Sequence, residues 1–219
     1  MAHVGPAQYP YLLFDLDGTL TESGPGIAES LQWAFSQMGL AQESPENIMQ
    51  YIGPPLRESL RRFRGMEKGD IDRFIEIYRE RYETKGMLQS DPYPGIPTLL
   101  RRLRDAGYTL LTATSKLEQV AANVLKRYDL ADCFAHIGGG DFVLGQDKPS
   151  VISRSLAACG ASPDRALMIG DRKYDILGAK ANAMACVGVL YGYGSRQELI
   201  EAGADYLVDS VDALGQLLL

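Results

Sequence analysis

The sequence predicts an α/β fold, with a doubly wound parallel sheet and a small helical domain inserted after the first strand. Short apolar runs bounded by Gly, Asp or Ser lie at residues 11–14, 108–113, 166–169, 185–190 and 206–208. Helical patterns alternate with them near residues 95–106, 117–128, 149–159, 174–183 and 195–202. Strands that alternate with helices pair in parallel, and their unbroken apolar character indicates burial on both faces.

The region between residues 21 and 91 breaks this alternation. Apolar residues recur there at helical spacing, first at Ile27, Leu31 and Phe35 and later at Phe74 and Tyr78, and no run has a convincing strand pattern. Its borders, near residues 23–26 and 91–95, are rich in Gly and Pro, as hinges often are. We therefore expect a helical cap domain at residues 22–90, inserted into a core formed by residues 1–21 and 91–219.

Composition and charge restrict the possible partners and the location. The 219 residues are 46% hydrophobic and 23% charged, which suffices for a sizeable core, and the net charge of −6 argues against nucleic acid as a partner. Three cysteines without Cys-x-x-Cys spacing favour reduced thiols and a cytoplasmic protein. Without a basic leader or a long apolar run, no membrane association is expected. The sequence gives no indication of an oligomeric state.

The stretch YLLFDLDGTLT, residues 11–21, places two acids directly after the first strand. Asp15 and Asp17 lie two residues apart, so their side chains project in the same direction, toward the sheet edge where α/β proteins bind ligands. As an alternative, the acids could simply accept hydrogen bonds from the backbone amides of the turn. This explains one aspartate well but two poorly, because burying a second charge is unfavourable. Like charges this close need a cation or a shared proton, and ligands that are all oxygen favour Mg²⁺.

A second strand end also carries acids. The run at residues 166–169 leads to Asp171, and Asp175 follows one helical turn later. Asp171 alone could be the N-cap of the next helix. Because Asp15 occupies the equivalent place after another parallel strand, a shared metal site is the better interpretation.

Residues suited to phosphate follow a third strand. The run at residues 108–113 leads to Thr114-Ser115-Lys116, and hydroxyl groups with free amides at a helix start bind phosphate oxygens well. Lys148 opens the helix before the Asp171 strand and can neutralise both phosphate and carboxylates. Ser115 remains an alternative to Thr114 for the phosphate, and Lys116 is a weaker alternative to Lys148.

Taken in order, these segments resemble the four motifs of the haloacid dehalogenase superfamily of phosphohydrolases, in the branch with a helical cap after the first strand. Asp15-Leu-Asp-Gly-Thr-Leu20 matches the first motif, Thr114 the second, Lys148 the third and Gly170-Asp171…Asp175 the fourth. Within the superfamily the chain is most similar to phosphoglycolate phosphatase-like proteins and 5′-nucleotidases. It departs from the fourth motif at residues 172–173, where Arg and Lys replace the more common small polar residue.

The resemblance implies a Mg²⁺-dependent phosphate monoester hydrolase that acts on a small phosphorylated metabolite. Asp15 is implied as the nucleophile that forms an aspartyl-phosphate, and Asp17 as the acid and base. Asp15, Asp171 and the backbone carbonyl of Asp17 are implied as Mg²⁺ ligands, with Asp175 acting directly or through water. Thr114 and Lys148, with Ser115 as the alternative hydroxyl, are implied to bind the phosphoryl group.

One further candidate lies in the predicted cap. The segment YIGPPLR, residues 51–57, is expected to face the site, so that Arg57 reaches a substrate carboxylate or a second phosphate. Alternatively, its two prolines merely start a helix.

The alternative functions use the same fold. A 5′-nucleotidase or a phosphosugar mutase would employ the same catalytic residues. Dehalogenase and phosphonate-cleaving activities are disfavoured, because their chemistry does not need an acid at position 17 and this chain has Asp17 there. A binding or regulatory protein on an inactive phosphatase fold is disfavoured because Asp15 and Asp171 are both present.

Overall fold

The computed structural model describes residues 4–141 and 143–219, which form two compact units. Thr21–Asp91 is one unit, and the residues before it together with Pro92–Leu219 form the other. The expected cap, residues 22–90, is one residue shorter at each end than the unit Thr21–Asp91. Within the described residues, no helix combines the length and apolar character needed to cross a membrane.

The α/β unit is built on a parallel sheet, as the sequence predicts. Among the described residues, six strands pair in the order β5-β4-β1-β6-β7-β8, and every pairing is parallel. Their bounds are β1 Tyr11–Phe14, β4 Thr109–Leu117, β5 His136–Gly140, β6 Ala166–Gly170, β7 Ala185–Val189 and β8 Tyr206–Val208. Two short strands, β2 Thr21–Glu22 and β3 Asp91–Pro92, form a separate two-stranded sheet.

Helices connect these strands. In the α/β unit they are α5 Ile96–Asp105, α6 Glu118–Arg127, α7 Lys148–Ala158, α8 Lys173–Ala181, α9 Arg196–Glu201 and α10 Val211–Leu218. Leu13 of β1 and Met168 of β6 share a buried cluster with residues of α7, α8 and α9 on one face of the sheet. Leu12 and Phe14 point to the opposite face and are also fully buried, so both faces are covered.

The helical unit contains α1 Gly24–Gln37, α2 Pro45–Ile48, α3 Leu56–Arg64 and α4 Lys68–Thr84. Its core holds the rings of Phe35 and Phe74, whose centroids are 4.7 Å apart, with Tyr51 at 5.9 Å from Phe35. Gly65 ends α3 in the left-handed conformation, with φ of 61°, which glycine adopts without a Cβ clash. The expectation of no strand in this region is wrong at its borders, where β2 and β3 pair.

The strand β4 differs from the sequence-based expectation. It extends from Thr109 to Leu117, so Thr114-Ser115-Lys116 lies within the strand and not at a helix start. The neighbouring strand β5 was not predicted, because the glycines at 138–140 give no side-chain pattern. These glycines allow close approach: a Cβ on Gly139 would lie 2.6 Å from the Cα of Glu118.

The order of the strands explains where a site can form. Phe14 of β1 pairs with Thr112 of β4 on one side and with Ile169 of β6 on the other. The chain adds strands outward from β1 through β4 and β5, then returns to the other side of β1 with β6. Strand order therefore reverses at β1, and α/β proteins bind ligands beyond the carboxyl ends of the strands at such a point.

Candidate active site

Three buried carboxylates meet at this reversal of strand order. Asp15 directly follows β1, Asp171 directly follows β6, and Asp175 lies in the first turn of α8. Asp15 is 2% exposed, and the other two are fully buried. Each offers a carboxylate oxygen, and these oxygens all lie within 4.8 Å of one another. The structure thus brings together three of the four acids that the sequence analysis selected.

Lys148 contacts two of these acids. Its Nζ lies 2.7 Å from Asp15 Oδ1 and 2.6 Å from Asp175 Oδ1, and it donates a hydrogen bond of 2.9 Å to the carbonyl of Ala113. Lys148 is the first residue of α7, whose N-cap Asp147 accepts from the backbone N–H of residue 150. The start of this helix therefore fixes a buried ammonium group between β1, β4 and α8.

Burial controls the electrostatics of the cluster. Burial raises the pKa of Asp15 to about 6, although Lys148 opposes this shift. Burial also raises the pKa of Asp171 well above its usual value, and the charges of Asp175 and Asp15 raise it further. One lysine among three buried carboxylates leaves excess negative charge, and every donor is oxygen. This donor set fits a hard divalent cation such as Mg²⁺.

Asp17 lies outside the three-carboxylate cluster. Its Oδ1 is 2.8 Å from the Nζ of Lys116, and the side chains are 14% and 8% exposed, respectively. Asp15 and Asp17 each contact a different lysine of this chain, Lys148 for Asp15 and Lys116 for Asp17. Lys116 thus pairs with Asp17, whereas Lys148 pairs with Asp15 and Asp175.

Asp171 is not a helix cap. The N-cap position of α8 belongs to Arg172, and it is Asp175 whose Oδ2 accepts the backbone N–H of Arg172 at 3.0 Å. Asp171 instead accepts hydrogen bonds on both oxygens: Oδ1 from the hydroxyl of Thr19 at 3.3 Å, and Oδ2 from the backbone N–H of Tyr193 at 2.8 Å. The N-cap interpretation of Asp171 is therefore wrong, because the helix begins one residue later than that interpretation requires.

Two glycines of the motifs allow these acids to approach the backbone. A Cβ on Gly18, which has φ of 85°, would overlap the carboxylate of Asp171. A Cβ on Gly170 would overlap the carboxylate of Asp175. The absence of a side chain at these positions is thus a steric requirement of the acid cluster.

The remaining predicted residues differ in their surroundings. Thr114 is 1% exposed, and its Oγ accepts the backbone N–H of Lys116 at 3.2 Å. The Oγ of Ser115 is buried and has no hydrogen-bond partner among the residues that the structure describes. Arg57 belongs to the helical unit, where its guanidinium lies 2.5 Å from Asp72 with both side chains 41% exposed.

Sequence reasoning missed the segment 191–194, which reads Tyr-Gly-Tyr-Gly. The hydroxyl of Tyr191 donates to the carbonyl of Thr19 at 3.1 Å, and burial raises the pKa of Tyr191, with a further contribution from the charge of Asp171. The backbone N–H of Tyr193 contacts Asp171, as described above. Paired glycines directly after a buried strand were the available signal, because they indicate close backbone approach at a sheet edge.

Comparisons with known proteins agree with this geometry. Residues 12–189 match the family model of haloacid dehalogenase-like hydrolases. A 5′-nucleotidase from Pseudomonas aeruginosa is 35% identical over 212 residues, which cover 96% of each chain. A phosphoglycolate phosphatase from Aquifex aeolicus is 33% identical over 184 residues, covering 83% of this chain and 85% of the relative. The crystal structure of a predicted phosphatase from Clostridium acetobutylicum superimposes with a TM-score of 0.91 at 38% identity, covering 94% of this chain and 96% of that one.

Proposed function

The chain belongs to the family of haloacid dehalogenase-like hydrolases, as a phosphatase, and we propose that it is a Mg²⁺-dependent hydrolase of small phosphate monoesters. The observation that carries this proposal is the buried group of Asp15, Asp171 and Asp175 at the reversal of strand order, of which Asp15 and Asp175 contact Lys148. Burying this much charge is unfavourable for stability, so a functional reason is the better explanation.

We assign Asp15 as the nucleophile. Its carboxylate oxygen forms a bond to phosphorus while the bond from phosphorus to the ester oxygen breaks, which gives an aspartyl-phosphate and an alcohol. The contact between Lys148 and Asp15 supports this assignment, because an ammonium group 2.7 Å from the carboxylate can also contact the phosphoryl oxygens as they arrive. Lys148 would then offset charge on both reactants.

We assign Asp17 as the general acid and base. In the first step it donates a proton to the leaving oxygen, and in the second it takes a proton from the water that attacks phosphorus and releases phosphate. Its position supports this role. Asp17 is two residues from the nucleophile, outside the three-carboxylate cluster, and retains 14% exposure of its side chain. Lys116 contacts one of its carboxylate oxygens and so fixes the side chain beside the nucleophile.

The carboxylates of Asp15 and Asp171 would hold Mg²⁺ with the backbone carbonyl of Asp17, and Asp175 would act directly or through water. The bound ion would offset the negative charge of the substrate phosphate and of the carboxylates. The buried, all-oxygen donor set supports this assignment.

Thr114 would bind the phosphoryl group, with Ser115 as the alternative hydroxyl. Lys148 donates to the carbonyl of Ala113, so the segment that begins at Thr114 starts beside the nucleophile. The Oγ of Ser115, which is buried and has no hydrogen-bond partner within residues 4–141 and 143–219, supports this alternative. The helical unit would act as a cap that excludes water during attack.

The names of the relatives support two substrate classes. We propose a phosphoglycolate-like carboxylated phosphate monoester first. A nucleoside 5′-monophosphate is the alternative, favoured by the similarity to the Pseudomonas aeruginosa protein along 96% of the chain. The guanidinium of Arg57 already contacts Asp72. To bind a substrate carboxylate, it would have to leave Asp72 or contact both carboxylates at once.

Phosphate release from p-nitrophenyl phosphate, phosphoglycolate, nucleoside 5′-monophosphates and hexose phosphates tests the proposal. We expect release with Mg²⁺, loss with EDTA, recovery when Mg²⁺ is restored, and inhibition by Ca²⁺, which takes more ligands at longer distances. Full activity in metal-free buffer would contradict the metal assignment. Isomerised sugar phosphate in place of free phosphate would identify a mutase.

A further inference from the structure

We infer that Glu198, which lies outside the four motifs, is a positioning residue for the proposed Mg²⁺ site. It holds the chain that joins Asp171 to α8, so that the carboxylates of Asp171 and Asp175 keep one orientation. This inference rests on the proposed function, because it assigns the group that orients two of the proposed metal ligands.

The carboxylate of Glu198 accepts hydrogen bonds from the two residues directly after Asp171. Its Oε1 accepts from the Nε of Arg172 at 2.9 Å and from the backbone N–H of Lys173 at 2.9 Å. The side chain of Arg172 is 10% exposed and that of Glu198 is 20% exposed. One carboxylate oxygen thus fixes both a side chain and a backbone amide at the start of α8.

Glu198 is itself held in place. It lies in the first turn of α9, where its backbone N–H donates to the Oγ of the N-cap Ser195 at 3.1 Å. Next to it in α9, Leu199 is fully buried and belongs to the hydrophobic cluster that includes residues of α7 and α8. The carboxylate of Glu198 therefore acts from a fixed point of the fold.

The chain that leads into α9 contacts Asp171 from the other side. The backbone N–H of Tyr193 donates to Asp171 Oδ2 at 2.8 Å, while the hydroxyl of Thr19 donates to Oδ1. Tyr191 in turn donates to the carbonyl of Thr19. Segment 191–198 thus contacts both the carboxylate of Asp171 and the two residues that follow it.

Steric contact couples this segment to Asp171. A Cβ on Gly192 would overlap both the carbonyl of Gly18 and the side chain of Asp171, and a Cβ on Gly194 would overlap the carbonyl of Asp171. Because the backbones are this close, a shift of the segment displaces Asp171. Only glycine fits at either position without such a shift.

The contact with Glu198 also gives a role to Arg172, one of the two residues at which the chain departs from the usual fourth motif. Its guanidinium pairs with Glu198, so its positive charge helps to join α9 to the start of α8. Removing Glu198 would leave a largely buried cation without this partner, a situation that is more unfavourable than loss of an exposed pair. The start of α8 would then move, together with Asp171 and Asp175.

Isothermal titration calorimetry with MgCl2 tests the inference on the full chain, without substrate. Groups that orient metal ligands typically contribute 10- to 100-fold in metal affinity, so we expect Glu198→Ala to raise the Kd for Mg²⁺ by about 10- to 100-fold. Glu198→Gln keeps an acceptor oxygen and should give a smaller increase. Glu201→Ala, which removes an exposed carboxylate from the same helix, is the matched control and should leave the Kd unchanged.

Three results would overturn the inference. The first is a Kd within about twofold of wild type in Glu198→Ala, even with a lowered Tm, since that pattern is expected from a purely structural contact. The second is an equal rise in Kd for Glu201→Ala, which would identify net charge as the cause. If Glu198→Ala does not fold, an unchanged Kd in Glu198→Gln is the third. Failure of the wild-type protein to bind Mg²⁺ would instead overturn the proposed metal site, and this inference with it.

Discussion

The two units of the molecule differ in where they place charge. In the α/β unit, Asp15, Lys148, Asp171, Arg172 and Asp175 are all buried within a small region. In the helical unit, whose residues are all described, the buried polar side chains are Ser and Thr alone. Two ion pairs of that unit, Arg57–Asp72 and Lys68–Asp72, keep their side chains at least 41% exposed, whereas Arg64–Glu43 is only partly accessible to water.

This difference leads to different expectations for substitutions in the two units. Burying a charge is unfavourable unless it is fully paired, and in the α/β unit Lys148 contacts two of the three clustered carboxylates, Asp15 and Asp175. Exposed ion pairs carry no such penalty and contribute little. Substitutions in the buried cluster should therefore change activity strongly without equivalent loss of stability, whereas substitutions of exposed pairs should change little.

The largest expected effect is that of Asp15→Asn. We expect the turnover of p-nitrophenyl phosphate to fall by roughly 10⁴- to 10⁶-fold, because an amide cannot form the aspartyl-phosphate and single losses of a nucleophile have effects of this size. Circular dichroism and the metal-free Tm should show an intact fold. Turnover near wild type would rule out Asp15 as the nucleophile.

A smaller effect is expected for Asp17→Asn, which keeps the shape and the backbone carbonyl but cannot transfer protons. We expect kcat to fall by roughly 10²- to 10⁴-fold, the usual contribution of a positioned acid and base. Lys116→Met is the control, since it breaks the same ion pair and leaves the carboxylate. Near-normal kcat with a lowered Tm in Asp17→Asn would refute the acid–base role.

The raised pKa of Asp15 leads to a prediction about metal-free stability. Below the ordinary pKa of 3.8 the carboxyl is protonated in both the folded and the unfolded state, so burial of the charge has no effect. As the pH rises toward 6, the unfolded chain releases this proton first, and the folded state is progressively disfavoured.

Asp15→Asn removes this penalty. Its free energy of unfolding relative to wild type should therefore increase between pH 4 and pH 7, by up to about 3 kcal/mol for a shift of about 2 pKa units. Urea unfolding with EDTA at each pH measures this difference. Asp132→Asn, which removes an exposed carboxylate of the same unit, controls for net charge. A difference that stays constant with pH would contradict the effect of burial on Asp15.

The smallest effects should come from the exposed pair of the helical unit. Arg57→Ala and Asp72→Ala break the same contact, and each should shift the Tm by less than about 2 °C. If Arg57 binds the substrate carboxylate, Arg57→Ala raises KM for phosphoglycolate and Asp72→Ala does not. Equal KM values in the two variants would show that Arg57 does not bind the substrate carboxylate.

The sequence by itself determined the parallel α/β sheet and the strand ends that carry Asp15 and Asp171. Both follow from local signals, since an apolar run indicates a buried strand and parallel strands end at the same sheet edge. It also indicated Lys148 from its place ahead of the Asp171 strand. The strand β5 was not predicted, because the glycines at 138–140 have no side chains to form a pattern.

Tertiary structure alone decided which groups contact these acids. Lys116 and Asp17 are 99 residues apart in sequence, and Tyr193 and Asp171 are 22 apart, so no local pattern relates them. Their contacts depend on the order of the strands and on backbone approaches that glycine permits. Chain order and residue type indicate which acids reach the sheet edge, but the partners that orient them come from elements that meet only when the chain is folded.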